Sequence, residues 1–507
     1  MKSFIHRNPI RWLVILIGGI LLLFIIDFGL RRYIESKIYK TLLSINGKAD
    51  AVHVNLSRRF VKISGLQIAA DSSQHSLQLK TVSARGISIF NLLMNKRIVV
   101  NEVLLDSGTV AYKSPNQNQS KPTFANNTFI RIKKILFHNM LVHLETDTTE
   151  RFSAILNGQL TETTLEIDSV HSVHYAIKSI EARAEKVVVW RAKGMYSGTI
   201  GRLQINTNTK EIIIDSAKLI PNHGKYEFAK LLGKQTARLD LSIPQLTIKG
   251  LQFSEIADSA FVASKIEIKT ADLFVFKDKR IPFLKKENVP LPMDSFLKLP
   301  FRVKVDSIVI SNSLITVEEF PENGAKTGII TFADINATIA GLDNRQKESV
   351  HPYALLNASG LLMGTGKIKA LFQLPLDGSS IYTAAGSVSN MSFKELNPIL
   401  TPMANVSVES GFLKNLKFDF KYNDFTSKGN INIDYNNLQF MSLNTDRRST
   451  NEIKTFFMNA LVRNDRSKSI APTQKNGVID IARDRKRYIF NVWWRSILDG
   501  LKSAILR

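Results

Sequence analysis

Three stretches decide the reading of this chain: Arg97 to Tyr112 (RIVVNEVLLDSGTVAY), Phe129 to Leu144 (FIRIKKILFHNMLVHL) and Arg302 to Val317 (RVKVDSIVISNSLITV). Apolar residues recur in all three at the same offsets. The first set is Ile98, Val100, Val103, Leu105, Val110 and Tyr112. The second is Ile130, Ile132, Ile135, Phe137, Val142 and Leu144, and the third is Val303, Val305, Ile308, Ile310, Ile315 and Val317. A spacing of two places side chains on one face of a strand. The spacing of three between the second and third positions reverses that parity, as a β-bulge does, and would bend a sheet. A turn-prone patch then follows: Asp106-Ser107-Gly108, His138-Asn139 or Ser311-Asn312. The expected unit is strand, kink, strand, turn, strand, repeated along the chain. A weaker copy runs through Ile212, Ile214, Ala217, Leu219, Gly224 and Tyr226, with Pro221-Asn222 in the turn position.

Period two extends well beyond the repeat. Val61 to Ile68, Leu77 to Val82, Ala237 to Ile243, Lys265 to Ile268, Leu416 to Tyr422 and Asn430 to Tyr435 all alternate. Helical spacing is confined to Ile34–Leu43, Phe90–Asn95, Tyr226–Leu232, Phe393–Met403, Asn451–Val462 and the C-terminus. The Pro-rich, Lys-rich run from Lys277 to Pro300 reads as an ordered loop or boundary. Ser114–Asn127 and Asn464–Asn476 read as exposed polar loops. The fold class expected is mainly β: a long, curved and twisted sheet with an elongated apolar groove, an N-terminal transmembrane helix and a few short helices. The organisation expected is a tail over 1–9, an anchor over 10–30, a β-groove region with repeats over 31–290, a second β region over 291–445, and a helix, basic loop and amphipathic helix over 446–507.

The chain has 507 residues, of which 44% are hydrophobic and 22% charged, so it is not a disordered polymer. Its 68 Lys+Arg against 44 Asp+Glu leave +24, which favours anionic partners. It contains no Cys. That excludes disulfides, thiolate catalysis, zinc–thiolate sites and thiolate-held iron–sulfur clusters, and leaves the compartment open.

The stretch Trp12–Ile26 (WLVILIGGILLLFII) carries no charge. Extended from Ile10 to Leu30 as a helix it would reach about 31 Å at ~1.5 Å per residue, roughly one bilayer core. No small-residue cleavage site follows it, so the expectation is an uncleaved anchor. Lys2, Arg7 and Arg11 precede the span, and Arg31, Arg32, Lys37 and Lys40 follow it. This balance does not settle orientation; the short basic tail favours an N-terminus inside.

Motifs for catalysis or for metal, nucleotide or nucleic-acid binding do not emerge. HExxH, GxSxG and EF-hand patterns are missing from the sequence. Gly364-Thr365-Gly366-Lys367 and Gly233-Lys234-Gln235 lack the phosphate-loop spacing, and His171 and His174 would sit on opposite faces of a strand. The expectation is no enzyme, no cofactor and no nucleic-acid partner. The C-terminus, Arg483 to Arg507, places Phe490, Trp493, Trp494, Ile497, Leu498, Leu501, Ala504 and Ile505 on one broad helical stripe. With Arg485, Lys486 and Arg487 beside it, this segment suits a membrane interface. It equally suits a helix that caps the open end of a sheet.

These features resemble the AsmA-like proteins of Gram-negative envelopes, distant relatives of TamB. The similarity rests on the anchor, on Ile63-Ser64-Gly65-Leu66, and on Gly86-Ile87-Ser88-Ile89 leading through Leu92-Leu93 to Arg97-Ile98. Asn397-Pro398, Ser410-Gly411, Gly429 and Tyr435-Asn436-Asn437-Leu438 extend it, so that it covers roughly Ile10 to Asn444. The resemblance implies a single-pass inner-membrane protein with its bulk in the periplasm. It also implies a β-groove that binds and moves phospholipid, or another envelope lipid, toward the outer membrane, and leaves room for an outer-membrane or periplasmic protein partner. Candidate groove residues are Ile98, Val100, Ile130, Ile132, Val303 and Val305. The alternative is a structural scaffold of an envelope complex, with a closed β core and no lipid.

Overall fold

The structure, a computed structural model, describes residues 31–506 except 45, 56–57, 70–74, 96, 114–127, 146–149, 168–172, 192–193, 285–287, 346–351 and 444–472. The anchor segment Trp12–Ile26, the polar run Ser114–Asn127 and the helix expected over Asn451–Val462 lie outside the described residues. The protein is mainly β, with 21 described strands in mixed parallel and antiparallel pairing. The chain divides into two compact units, Met1–Ala217 and Lys218–Arg507. The division falls inside a strand.

In the first unit, α1 (Arg31–Ser44) precedes β1 (Gly47–Lys48), β2 (Ala51–Asn55), β3 (Phe60–Ala69) and β4 (His75–Arg85). Then come α2 (Ile89–Asn95), β5 (Arg97–Lys113), β6 (Thr128–Glu145), β7 (Glu150–Ile167), β8 (Val173–Arg191), β9 (Tyr196–Asn206) and β10 (Glu211–Pro221), the strand that holds the division. Strands β3, β4 and β5 form an antiparallel meander, as do β6 to β9. Between the two meanders, β5 and β6 pair in parallel.

That parallel pair aligns two copies of the repeat residue for residue. Ile98 faces Ile130, Val100 faces Ile132, Val103 faces Ile135, Leu105 faces Phe137, Val110 faces Val142 and Tyr112 faces Leu144. The expected parity reversal is present, since Val100 and Val103 are buried in the same apolar cluster despite their odd spacing. The expected turn is not. Each copy is one continuous strand, and the turn-prone patch holds a single left-handed residue: Ser107 (φ 52), Asn139 (φ 49) or Asn312 (φ 50). One such residue makes a bulge without ending the strand. At Asn139 the displaced backbone N–H donates to Asn157 Oδ1 at 2.9 Å, and at Asn312 to Asn336 Oδ1 at 3.3 Å. In each case the asparagine stands on the neighbouring antiparallel strand, so the bulge leaves no orphan donor.

In the second unit, α3 (Glu227–Leu231), β11 (Arg238–Lys249), α4 (Phe253–Ala257), β12 (Ala260–Lys269), β13 (Asp272–Asp278) and α5 (Pro292–Leu297) lead to β14 (Arg302–Phe320). There follow β15 (Gly328–Asp343), β16 (Tyr353–Leu362), β17 (Gly366–Pro375), β18 (Tyr382–Ser392), a 3-10 turn (Phe393–Leu396), α6 (Asn397–Ala404), β19 (Val406–Tyr422), β20 (Thr426–Ser442), β21 (Thr473–Ala482) and α7 (Ile489–Leu506). From β14 to β21 consecutive strands pair antiparallel. The third repeat copy, on β14, pairs in parallel with β12 and β13 in a single register. A copy that the sequence hid is therefore Phe261, Ala263, Ile266, Ile268, Leu273 and Val275, with its left-handed residue at Thr270 (φ 53). The weaker copy expected from Ile212 stops short, because β10 ends at Pro221 before Gly224 and Tyr226.

Two other expectations are corrected. The Pro-rich run contains the end of β13 and all of α5, where Pro292 occupies the first turn and needs no intrahelical N–H partner. Thr473–Asn476, expected in a loop, belong to β21 and pair with β20.

Candidate functional site

Four of the candidate groove residues, Ile98, Val100, Ile130 and Ile132, are 0–2% exposed. They pack with Ile38 and Leu42 of α1 and with Ile63 and Leu66 of β3 in one apolar cluster. Val305 is also buried, whereas Val303 is half-buried. In the first unit the early repeat positions are thus packed interior, whereas Val110, Tyr112, Phe137 and Leu144 are half-buried.

In the second unit the same alternation yields a two-faced sheet. One cross-strand row runs Ile248, Ile266, Ile308, Ile339, Leu356 and Phe372. The next runs Leu246, Ile268, Ile310, Ala337, Ala358, Ala370 and Gly386. The opposite parity is polar, for example Lys249, Lys265 and Glu267, which form an ion-pair triplet at 2.7–2.8 Å. Phe372 is buried, while Leu356, Ile339, Ile308, Ile266 and Ile248 are all half-buried. The second row carries small residues over β15 to β18; the hollow of about 640 Å³ there is lined mainly by opposite-parity residues such as Ser311, Asn336, Asn357, Ser359 and Lys369, and by no residue of the first row. Gly386 is required in that row, because a Cβ would meet the Phe418 ring and the Lys369 carbonyl oxygen, each at 2.5 Å.

Helix α7 covers one end of this face. Val492, Ser496, Leu498 and Ala504 are buried, and Trp493 stacks on Phe372 with ring centroids 4.5 Å apart. Ile497 and Leu501 pack on the same core clusters. Of the membrane-interface candidates, Trp493, Ile497 and Leu501 therefore point into the sheet, whereas Phe490 (71% exposed) and Trp494 (46%) point away. Tyr488 and Phe425 are also exposed, and the Arg485 guanidinium lies 5.0 Å from the Phe425 ring centroid while pairing with Asp424. Arg483, with its side chain buried, shares Asp424 and donates to the Val289 carbonyl. Arg487 stacks on Phe283 at 3.5 Å and donates to Gln235 Oε1 at 3.3 Å. Lys486 donates its backbone N–H to Asp484 Oδ1 at 3.0 Å.

The apolar rows end at a charged lip. Along β13 and β14 the paired residues Leu273–Ile315 and Val275–Val317 are followed by Lys277–Glu319. Burial holds the Lys277 amine down to about 8; Glu319 opposes this, and the positive charges of Arg487 and Lys279 add to it. Sequence reading passed over Lys277. Its signal was a charge at the parity where Leu273 and Val275 set an apolar expectation.

No group of three His, Asp or Glu side chains poised for a metal occurs among the described residues. His174 is exposed, and Gly364-Thr365 form the tight turn between β16 and β17. No described helix is long and apolar enough to cross a membrane. No protein-family model matches the chain, and no curated protein matches it significantly.

Proposed function

We propose that this chain is an inner-membrane-anchored, AsmA-like periplasmic protein whose β-sheet forms an apolar groove that binds phospholipid acyl chains and moves them toward the outer membrane. The observation that carries the reading is the pair of aliphatic rows across β11 to β16, half-buried along Ile248, Ile266, Ile308 and Ile339. Water contact with such side chains is unfavourable, and each methylene of an acyl chain laid on them gains about 0.8 kcal/mol. Such binding is non-directional, so selectivity among chains is weak. The charge-free Trp12–Ile26 stretch would supply the anchor. The exposed Phe490, Trp494, Tyr488 and Phe425, with Arg485 and Lys486 nearby, suit an interfacial contact with a bilayer surface.

Native mass spectrometry of the full-length chain in mild detergent tests this. Several phospholipids per chain are expected. An Ile268→Glu, Ile310→Glu double variant is expected to lose at least three-fold in bound lipid while its melting temperature stays near that of the wild type. A wild-type chain that is lipid-free and melts cooperatively would sink the proposal. It would favour the scaffold reading, which the packed interior at Val100 and Ile132 supports.

A further inference from the structure

We infer that Lys277, Lys279 and Arg487 form a binding site for a phosphate-ester anion, the headgroup of a lipid whose acyl chains lie on Leu273, Val275, Ile315 and Val317. This rests on the groove reading above and adds a headgroup class to it. The geometry begins with the register. Side chains two apart on a strand repeat at roughly 7 Å, so Lys277 stands one step beyond Val275 on the same face. A ligand with an apolar body and an anionic end would meet aliphatic residues and then an ammonium in that order.

Three cations here share two carboxylates, Glu319 and Asp484. Glu319 is already ion-paired with Lys279, and Asp484 lies 3.7 Å from Arg487 Nε. Lys277 has no ion pair of its own among the described residues. Burial is the main reason its proton is held weakly; Glu319, its cross-strand partner, works the other way, and the charges of Arg487 and Lys279 add to the lowering. Such a cluster is relieved by an anion and is costly without one. Arg487 is pre-oriented by its stack on Phe283 and by Gln235. Gln235 is in turn fixed by bonds to the carbonyls of Pro282 (2.9 Å) and Ile281 (3.3 Å). A held guanidinium fork beside two ammonium groups is a phosphate-recognising set.

The test is competition on the full-length chain in maltoside detergent, read by native mass spectrometry. The probes are equimolar phosphatidylglycerol and phosphatidylcholine of equal chain length, with glycerol phosphate as a third arm. Phosphatidylglycerol is expected to exceed phosphatidylcholine by about five-fold or more at pH 7. The preference is expected to shrink as pH rises through about 8, because Lys277 loses its proton there. Lys277→Gln is expected to lower the preference at pH 7 at least two-fold with total lipid and melting temperature unchanged. Lys277→Arg is expected to keep the preference and lose its pH dependence. Equal binding of the two lipids in the wild type would overturn the headgroup site and leave the groove intact. Absence of both lipids would overturn the groove; binding of glycerol phosphate that is lost in Lys277→Gln would then keep the anion site as one for free phosphate esters.

Discussion

Ile132 is the second position of its repeat and Ile308 the third of its own, and Ile132 is 2% exposed while Ile308 is half-buried. Truncating the first removes a fully packed side chain, so Ile132→Ala is expected to cost about 2–5 kcal/mol in denaturant unfolding. Ile308→Ala is expected to cost clearly less, because fewer of its atoms leave water on folding. Glu267 makes a pH prediction. Hydrogen bonds from Lys249 and then Lys265 hold its carboxyl near 2. A carboxylate lowered by folding adds stability above its ordinary value near 4.5, and that stability is lost as pH falls from there toward 2. The pairs lie on an exposed face, so the effect is small: Glu267→Gln should melt about 1–2 °C lower at pH 7 and no lower at pH 2. A gap that persists at pH 2 would assign the effect to packing.

At the scale of elements, α7 is seated by contacts closer than any side chain allows. A Cβ on Gly477 of β21 would meet the Gly500 carbonyl oxygen at 2.1 Å and the Ala504 nitrogen at 2.8 Å. Gly477→Val is therefore expected to lift the helix at a cost of about 1–3 kcal/mol. Limited trypsin digestion should read this as faster cleavage around Arg485 to Arg487. The helix also guards an edge. On β21 the backbone N–H groups of Val478 and Asp480 donate to Ser503 Oγ (3.1 Å) and Asp499 Oδ2 (3.0 Å). Open donors on an edge strand invite pairing with another chain. Asp499→Ala with Ser503→Ala should raise aggregation, measured by light scattering, with little change in melting temperature. The strands with strong alternation, such as β3 and β5, were legible in the sequence. Strands β16 to β18 were not, because Ala354, Ala358, Ala370, Ala384 and Gly386 carry too little hydrophobicity to mark a face. Helix α5 was hidden because its prolines read as breakers, and only its observed start shows Pro292 in a tolerated first-turn position.

At the scale of the molecule, each unit is a β assembly built around repeat-bearing strands. The first packs the early positions of its repeats into an interior, and the second leaves aliphatic rows half-buried beyond the cover of α7. The lipid count by native mass spectrometry belongs at this scale, since it asks whether the half-buried rows hold cargo. The sequence alone established the β class and the parity reversals, because alternation and matched offsets are local properties of the chain; the parallel register of β5 on β6 came only from the fold. The sequence also marked the C-terminal helix through its apolar period. Only the tertiary structure decided that Val100 is interior while Ile308 is half-buried, that Trp493 faces the sheet while Trp494 faces out, and that the charge of Arg487 acts on Lys277. Burial and charge proximity depend on what a distant segment places opposite a residue, and a periodic pattern names a face without naming its neighbour.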